Sequence, residues 1–82
     1  MMTKAKYIVG EVNGLPTPFV FPDWVTHADV ARQLGIKPVS AGFTHIAEDK
    51  FVCYGESVSL KLKAREDIDS RLLTRTLGGW AD

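Results

Sequence analysis

One dipeptide does most to restrict what this chain can become. Asn13-Gly14 stands between two apolar runs, Tyr7-Ile8-Val9-Gly10-Glu11-Val12 and Leu15 to Phe21. A two-residue type I′ turn needs positive φ at both central positions, and Asn followed by Gly meets that need at least cost. The pairing that follows sets Val12 opposite Leu15, Glu11 opposite Pro16 and Val9 opposite Pro18. Proline has no N–H to give to a ladder and ordinarily argues against a strand. In this register both prolines fall at non-hydrogen-bonded positions, so their missing N–H groups point away from the hairpin partner. The expectation is a hairpin whose second strand is a sheet edge, with the prolines barring further strands from that edge.

The pattern breaks at Phe21-Pro22-Asp23-Trp24, and a helix follows. Thr26 is its N-cap, Asp29 sits at the acid position of a capping box, and Val25 with Val30 forms a hydrophobic staple. Gly35 ends it in the left-handed conformation. The inward stripe is His27, Val30, Ala31 and Leu34.

Pro38 opens a second β region. Val39, Ala41 and Phe43 alternate with Ser40, Gly42 and Thr44, and a run from Phe51 to Lys63 follows the turn pair Glu48-Asp49. A turn there sets Phe43 beside Tyr54 and Val39 beside Val58. Val39, Ala41, Phe43, Val52, Tyr54 and Val58 then share a face, continued by Leu60 and Leu62. Gly55 marks a bulge or a break into a separate strand. A last helix spans about Glu66 to Leu77, with an apolar stripe of Ile68, Leu72, Leu73 and Leu77. Asp67 and Asp69 lie near its positive end, Arg71 and Arg75 nearer its negative end, and Asp67 with Arg71 is a favourable i,i+4 pair. The fold class is α+β: a small, mainly antiparallel sheet in the order ββαββ(β)α with two helices, both expected on one face.

The 82 residues make a single domain. Residues 1–5 and 79–82 are expected to be flexible. A chain this short buries only about 60% of its unfolded surface, which leaves little for a deep catalytic cavity. Ten basic residues offset ten acidic ones, so no global charge draws the chain to nucleic acid or to an anionic membrane. The single cysteine, Cys53, excludes an internal disulfide, and the apolar run Tyr7-Ile8-Val9 is too short for a signal or a membrane span. A reducing cytoplasm is the expected compartment.

Few side chains here carry chemistry. Cys53 with His27 or His45 could make a thiol nucleophile, but the register turns Cys53 away from His45, and a small buried hydrophobe is the favoured reading. His27, His45, Cys53 and Glu56 lack zinc-motif spacing, so no metal and no cofactor is expected. Glu56 shares the Tyr54 face in this register. There it is either solvated at a sheet margin, the favoured reading, or a polar hot spot paired with His45 or an arginine. Lys61, Lys63 and Arg65 alternate outward as a small basic stripe, read as a solvated face.

The segment Val25 to Ile36 resembles the first helix and turn of helix-turn-helix repressors, with alanine, turn glycine and aliphatic at that family's positions. The resemblance implies a small DNA-binding regulator using residues 25–46. Its recognition helix would be Pro38 to Ile46, a stretch with a glycine, several β-branched residues and no Lys or Arg. Nucleic acid is therefore the lesser expectation. The segments Val39 to Phe43, Cys53 to Leu60 and Leu72-Leu73-Thr74-Arg75 together resemble small uncharacterised proteins of bacteriophages and prophages. That resemblance implies a short, mostly non-enzymatic protein acting through contacts, in assembly or in modulating a host protein. The leading expectation is a non-enzymatic protein-interaction module, with homodimerisation as one form of contact and no membrane partner. Tyr54 and Glu56 are the first contact candidates, and Arg75 and Trp80 the second, because Trp, Tyr and Arg dominate binding hot spots.

Overall fold

The computed structural model describes residues 4–78. Of the ends expected to be flexible, residues 1–3 and 79–82 lie outside the described residues, and with them Trp80 as a contact candidate. The elements are β1 (Ala5–Val12), β2 (Leu15–Phe21), α1 (His27–Leu34), β3 (Pro38–Ala47), β4 (Lys50–Tyr54), β5 (Glu56–Ser57), β6 (Leu62–Lys63) and α2 (Glu66–Leu77). The expected α+β order is what the chain adopts.

The first hairpin forms in the register its prolines require: Val12 pairs with Leu15, Glu11 with Pro16 and Val9 with Pro18. Asn13 and Gly14 hold φ of 55° and 81°, as a type I′ turn demands. The main sheet runs β2-β1-β3-β4, which leaves the proline strand outermost.

β1 is the spine of the sheet. Tyr7, Ile8 and Val9 are each fully buried although alternate residues point to opposite faces. Tyr7 and Val9 pack with Cys53 and with Leu72 and Leu73 of α2. Ile8 packs on the other side with Ala41 and with Ala31 of α1, flanked by Phe19, Phe21, Leu60 and Leu62. The helices therefore lie on opposite faces, not on one. The reason is in the sequence: three consecutive apolar residues at the centre of a strand need cover on both sides.

α1 starts and stops as its residues dictate. Thr26 Oγ accepts the Asp29 N–H at 3.1 Å. Gly35 takes φ 67° and donates to the carbonyls of Ala31 and Arg32. His27 and Ala31 point inward, whereas Leu34 is exposed and borders a surface hollow with Phe19, Val20 and Phe21. α2 differs more from expectation. Ile68 is exposed and Asp69 is fully buried in its place. The Asp69 carboxylate accepts the Tyr7 hydroxyl at 2.5 Å, the Arg65 backbone N–H at 2.9 Å and Arg65 Nε at 3.2 Å, with Arg65 Nη2 at 3.0 Å. Four donors on one carboxylate outweigh the preference of isoleucine for the inside. The Asp67–Arg71 pair is not among the ion pairs of the described residues; Arg65–Asp69 takes its place.

In the second β region Phe43 pairs with Tyr54 as expected, through a turn in which Glu48 and Asp49 both hold positive φ, 53° and 67°. The register then ends. Gly55 turns at φ 79°, and β5 pairs with β6 in a separate two-stranded sheet. Val39 has no partner in Val58, which stands 82% exposed in the β5–β6 loop. The basic stripe is not built either: Lys61 lies in that loop at φ 58°, and Arg65 turns in toward Asp69.

Two outcomes follow for stability. Left-handed backbone at non-glycine residues costs roughly 1–2 kcal/mol each. Glu48→Asn with Asp49→Gly should therefore raise stability by about 1 kcal/mol, seen as a higher urea midpoint at unchanged slope. Tyr7→Phe leaves Asp69 its arginine and should cost about 1–2 kcal/mol. Asp69→Ala leaves the buried Tyr7 hydroxyl and the Arg65 backbone N–H without an acceptor, while the part-exposed Arg65 guanidinium can turn to water, and should cost about 2–3 kcal/mol. Equal losses from the two would show that the carboxylate acts only through the phenol.

Candidate interaction site

α2 lies along the free edge of β4, and its sequence explains how. In β4 the residues paired by hydrogen bonds to β3 alternate with residues whose N–H groups point outward, here Phe51 and Cys53. Ser70 Oγ accepts the Cys53 N–H at 2.9 Å and Thr74 Oγ accepts the Phe51 N–H at 2.9 Å. Four residues of helix rise about 6 Å and two residues of strand about 6.6 Å, so an i,i+4 hydroxyl pair matches an i,i+2 amide pair. The edge is closed by side chains instead of by another strand.

This closure places Arg71 and Arg75, the next stripe of α2, beside β4. With Lys50, Phe51, Val52, Ser70 and Thr74 they line an open groove of about 510 Å³. The groove is largely apolar between its cations. Arg71 and Arg75 also border a smaller, more polar hollow with Pro16, Arg65, Ile68 and Leu72, so they stand between two depressions. Neither depression is lined by a carboxylate. The ion pairs among the described residues do not involve Lys50, Arg71 or Arg75.

The other contact candidates lie elsewhere. Tyr54 is half-buried on the α1 face, stacked on Phe43 at 6.1 Å and 27° and tilted against His45 at 5.5 Å. Glu56 is exposed but shares no strand with Tyr54, because Gly55 breaks the chain between them. It borders a shallow hollow with Lys6, His27, Phe43 and Val58, and no ion pair of the described residues joins it to His45 or an arginine. Of the three candidates within the described residues, Arg75 alone falls in the α2/β4 groove. Lys50, Phe51, Val52, Ser70, Arg71 and Thr74 line it as well and were not among the expected contact residues. The available signal was the double stripe of α2, hydroxyls at 70 and 74 beside arginines at 71 and 75.

The reactive side chains are kept apart. Cys53 is 1% exposed on the α2 face, its Sγ 3.7 Å from Thr44 Oγ, and burial pushes its thiol up. Tyr7 is pushed up as well, by burial and by its hydrogen bond to Asp69. His27 sits across the sheet, buried, between Phe21 and Phe43. Its Nε2 lies 2.8 Å from the Gly42 carbonyl, which can only accept, so Nε2 carries the proton. No group of metal-ligating side chains occurs among the described residues. Residues 38–47 form β3, so no second helix follows Gly35 and the helix-turn-helix geometry is not built. No helix of the described residues is long and apolar enough to cross a membrane. The chain matches no family model, no curated protein and no solved structure.

Burial holds the His27 imidazole below its ordinary value of about 6.5. Below that value the unfolded chain binds a proton that the folded chain resists. The His27 contribution is complete above about pH 6.5 and is lost as pH falls toward the lowered folded value. Urea midpoints should therefore drop between pH 7.5 and 5.5, and His27→Gln should flatten that drop. An unchanged slope in the variant would show that another group controls it.

Proposed function

We propose that the protein is a non-enzymatic interaction module that holds a protein partner against the groove between α2 and β4. The observation that carries this reading is the groove itself, in which Phe51 and Val52 lie beside Lys50, Arg71 and Arg75. Apolar surface flanked by arginine is the composition from which binding hot spots are made. A chain of this size has little interior to spare for chemistry, and Cys53 and His27 lie on opposite faces of the sheet. The resemblance to small phage and prophage proteins favours an accessory role, in assembly or in modulating a host protein.

Comparative capture tests it. Wild type, Val52→Asp, Arg71→Gln with Arg75→Gln, and a remote control, Val58→Asp, are immobilised and exposed to bacterial lysate. One protein should be enriched on the wild type and the control and be depleted at least about tenfold on both groove variants, a loss of roughly 1.4 kcal/mol or more. Light scattering reports whether that protein is a second copy. Equal capture by all four chains, or none by any, would remove the groove from the function.

A further inference from the structure

The geometry points to the chemistry of the partner: an extended acidic segment in which an apolar residue is flanked by carboxylates two residues apart. This rests on the reading of the groove as the docking site and adds what that site selects.

The first ground is what the groove cannot do. An exposed sheet edge commonly recruits a peptide as an extra strand, through backbone hydrogen bonds. Here the outward N–H groups of Phe51 and Cys53 are already taken by Thr74 and Ser70, and Thr74 Oγ lies 3.5 Å from the Phe51 carbonyl as well. An occupant must therefore be recognised by side chains.

The second ground is charge. The chain is neutral overall, with ten basic and ten acidic residues. Yet Lys50, Arg71 and Arg75 line one groove that no carboxylate lines. Three cations against an apolar wall attract carboxylates, and arginine holds a carboxylate with two parallel hydrogen bonds. The side chains of Ser70 and Thr74 are engaged with the strand, which leaves the arginines as the polar selectors on α2.

The third ground is spacing. Arg71 and Arg75 are one helical turn apart, about 6 Å along α2. Carboxylates at positions i and i+2 of an extended segment are about 6.6 Å apart and point to one side, while residue i+1 points to the other. A segment running along the groove with its acids toward α2 turns its middle residue toward β4, where Val52 lines the groove. The recognised pattern is acid, apolar, acid. A nucleic acid fits less well: the groove wall is Val52 and part of Phe51, not a row of stacking rings, and the footprint is three cations on a neutral chain.

Anisotropy titrations of three labelled nonapeptides with Gly/Ser flanks test the pattern, with central triplets Glu-Leu-Glu, Gln-Leu-Gln and Glu-Ser-Glu. The first should bind at least about tenfold tighter than either other, and more weakly as salt rises from low to physiological strength. Arg71→Gln with Arg75→Gln should remove that preference, with urea melts confirming the fold. Arg71→Glu with Arg75→Glu should transfer it to a Lys-Leu-Lys peptide. Equal binding of Glu-Leu-Glu and Gln-Leu-Gln overturns the inference. So does stronger competition by a ten-nucleotide single strand than by unlabelled Glu-Leu-Glu peptide. Groove-dependent capture of a protein that lacks the pattern overturns it too, while leaving the interaction reading intact. Loss of both capture and peptide binding removes the two together.

Discussion

A carboxylate closed off from water ties the two ends of this chain together. Asp69 belongs to α2 and the Tyr7 hydroxyl it accepts belongs to β1, 62 residues earlier. An ionised side chain at full burial would be costly without partners. Here it has the phenol, the Arg65 guanidinium and the Arg65 backbone N–H. That last donor is one of the amides a helix start leaves unpaired, so the same side chain that anchors α2 to the sheet also serves the first turn of the helix. Arg65 itself makes no side-chain cap, which makes this internal acceptor the more necessary.

The rotation of α2 follows from that anchor. With Asp69, Leu72 and Leu73 turned inward, the 100° step of a helix fixes where every other residue goes. Ser70 and Thr74 meet the edge of β4, and Arg71 and Arg75 stand outside it. The groove and its cations are thus a product of the core. One phase angle sets the buried carboxylate and its arginine, the closure of the sheet and the exposed surface at once. On the opposite face α1 has only eight residues, and Phe19, Phe21, Leu60 and Leu62 complete the cover that so short a helix cannot supply alone.

Much of this was written locally. Asn13-Gly14 and the two prolines determined the first hairpin to the residue, and Thr26 and Gly35 bounded α1, because each acts on backbone within a few positions of itself. What escaped reading depends on distance or on competition. Asp69 looked like a first-turn acid favoured by the helix dipole; only the fold reveals that a tyrosine hydroxyl is waiting for it. Glu56 and Val58 were assigned to the face of Tyr54 by alternation, which holds only while the strand continues, and Gly55 ends it. Glu48-Asp49 turned where alternation wanted a turn, although glutamate does not favour left-handed backbone and aspartate only tolerates it. Of the residues lining the α2/β4 groove, Arg75 alone was among those expected to make contacts, since a groove between elements has no signature in either element.

The hydroxyl closure of β4 imposes an order in time as well as in space. A ribosome releases residues 50–54 before residues 66–77. During that interval the amides of Phe51 and Cys53 face outward with nothing to meet them, next to an apolar floor that α2 has yet to cover. Unpaired strand edges of this kind are what nascent and stalled chains use to stick to one another. β2 carries its own permanent guard in its prolines, but β4 must wait for a helix made a dozen residues later. The protein is therefore most vulnerable to its own copies in any partly folded state in which the sheet has formed and α2 is detached from β4.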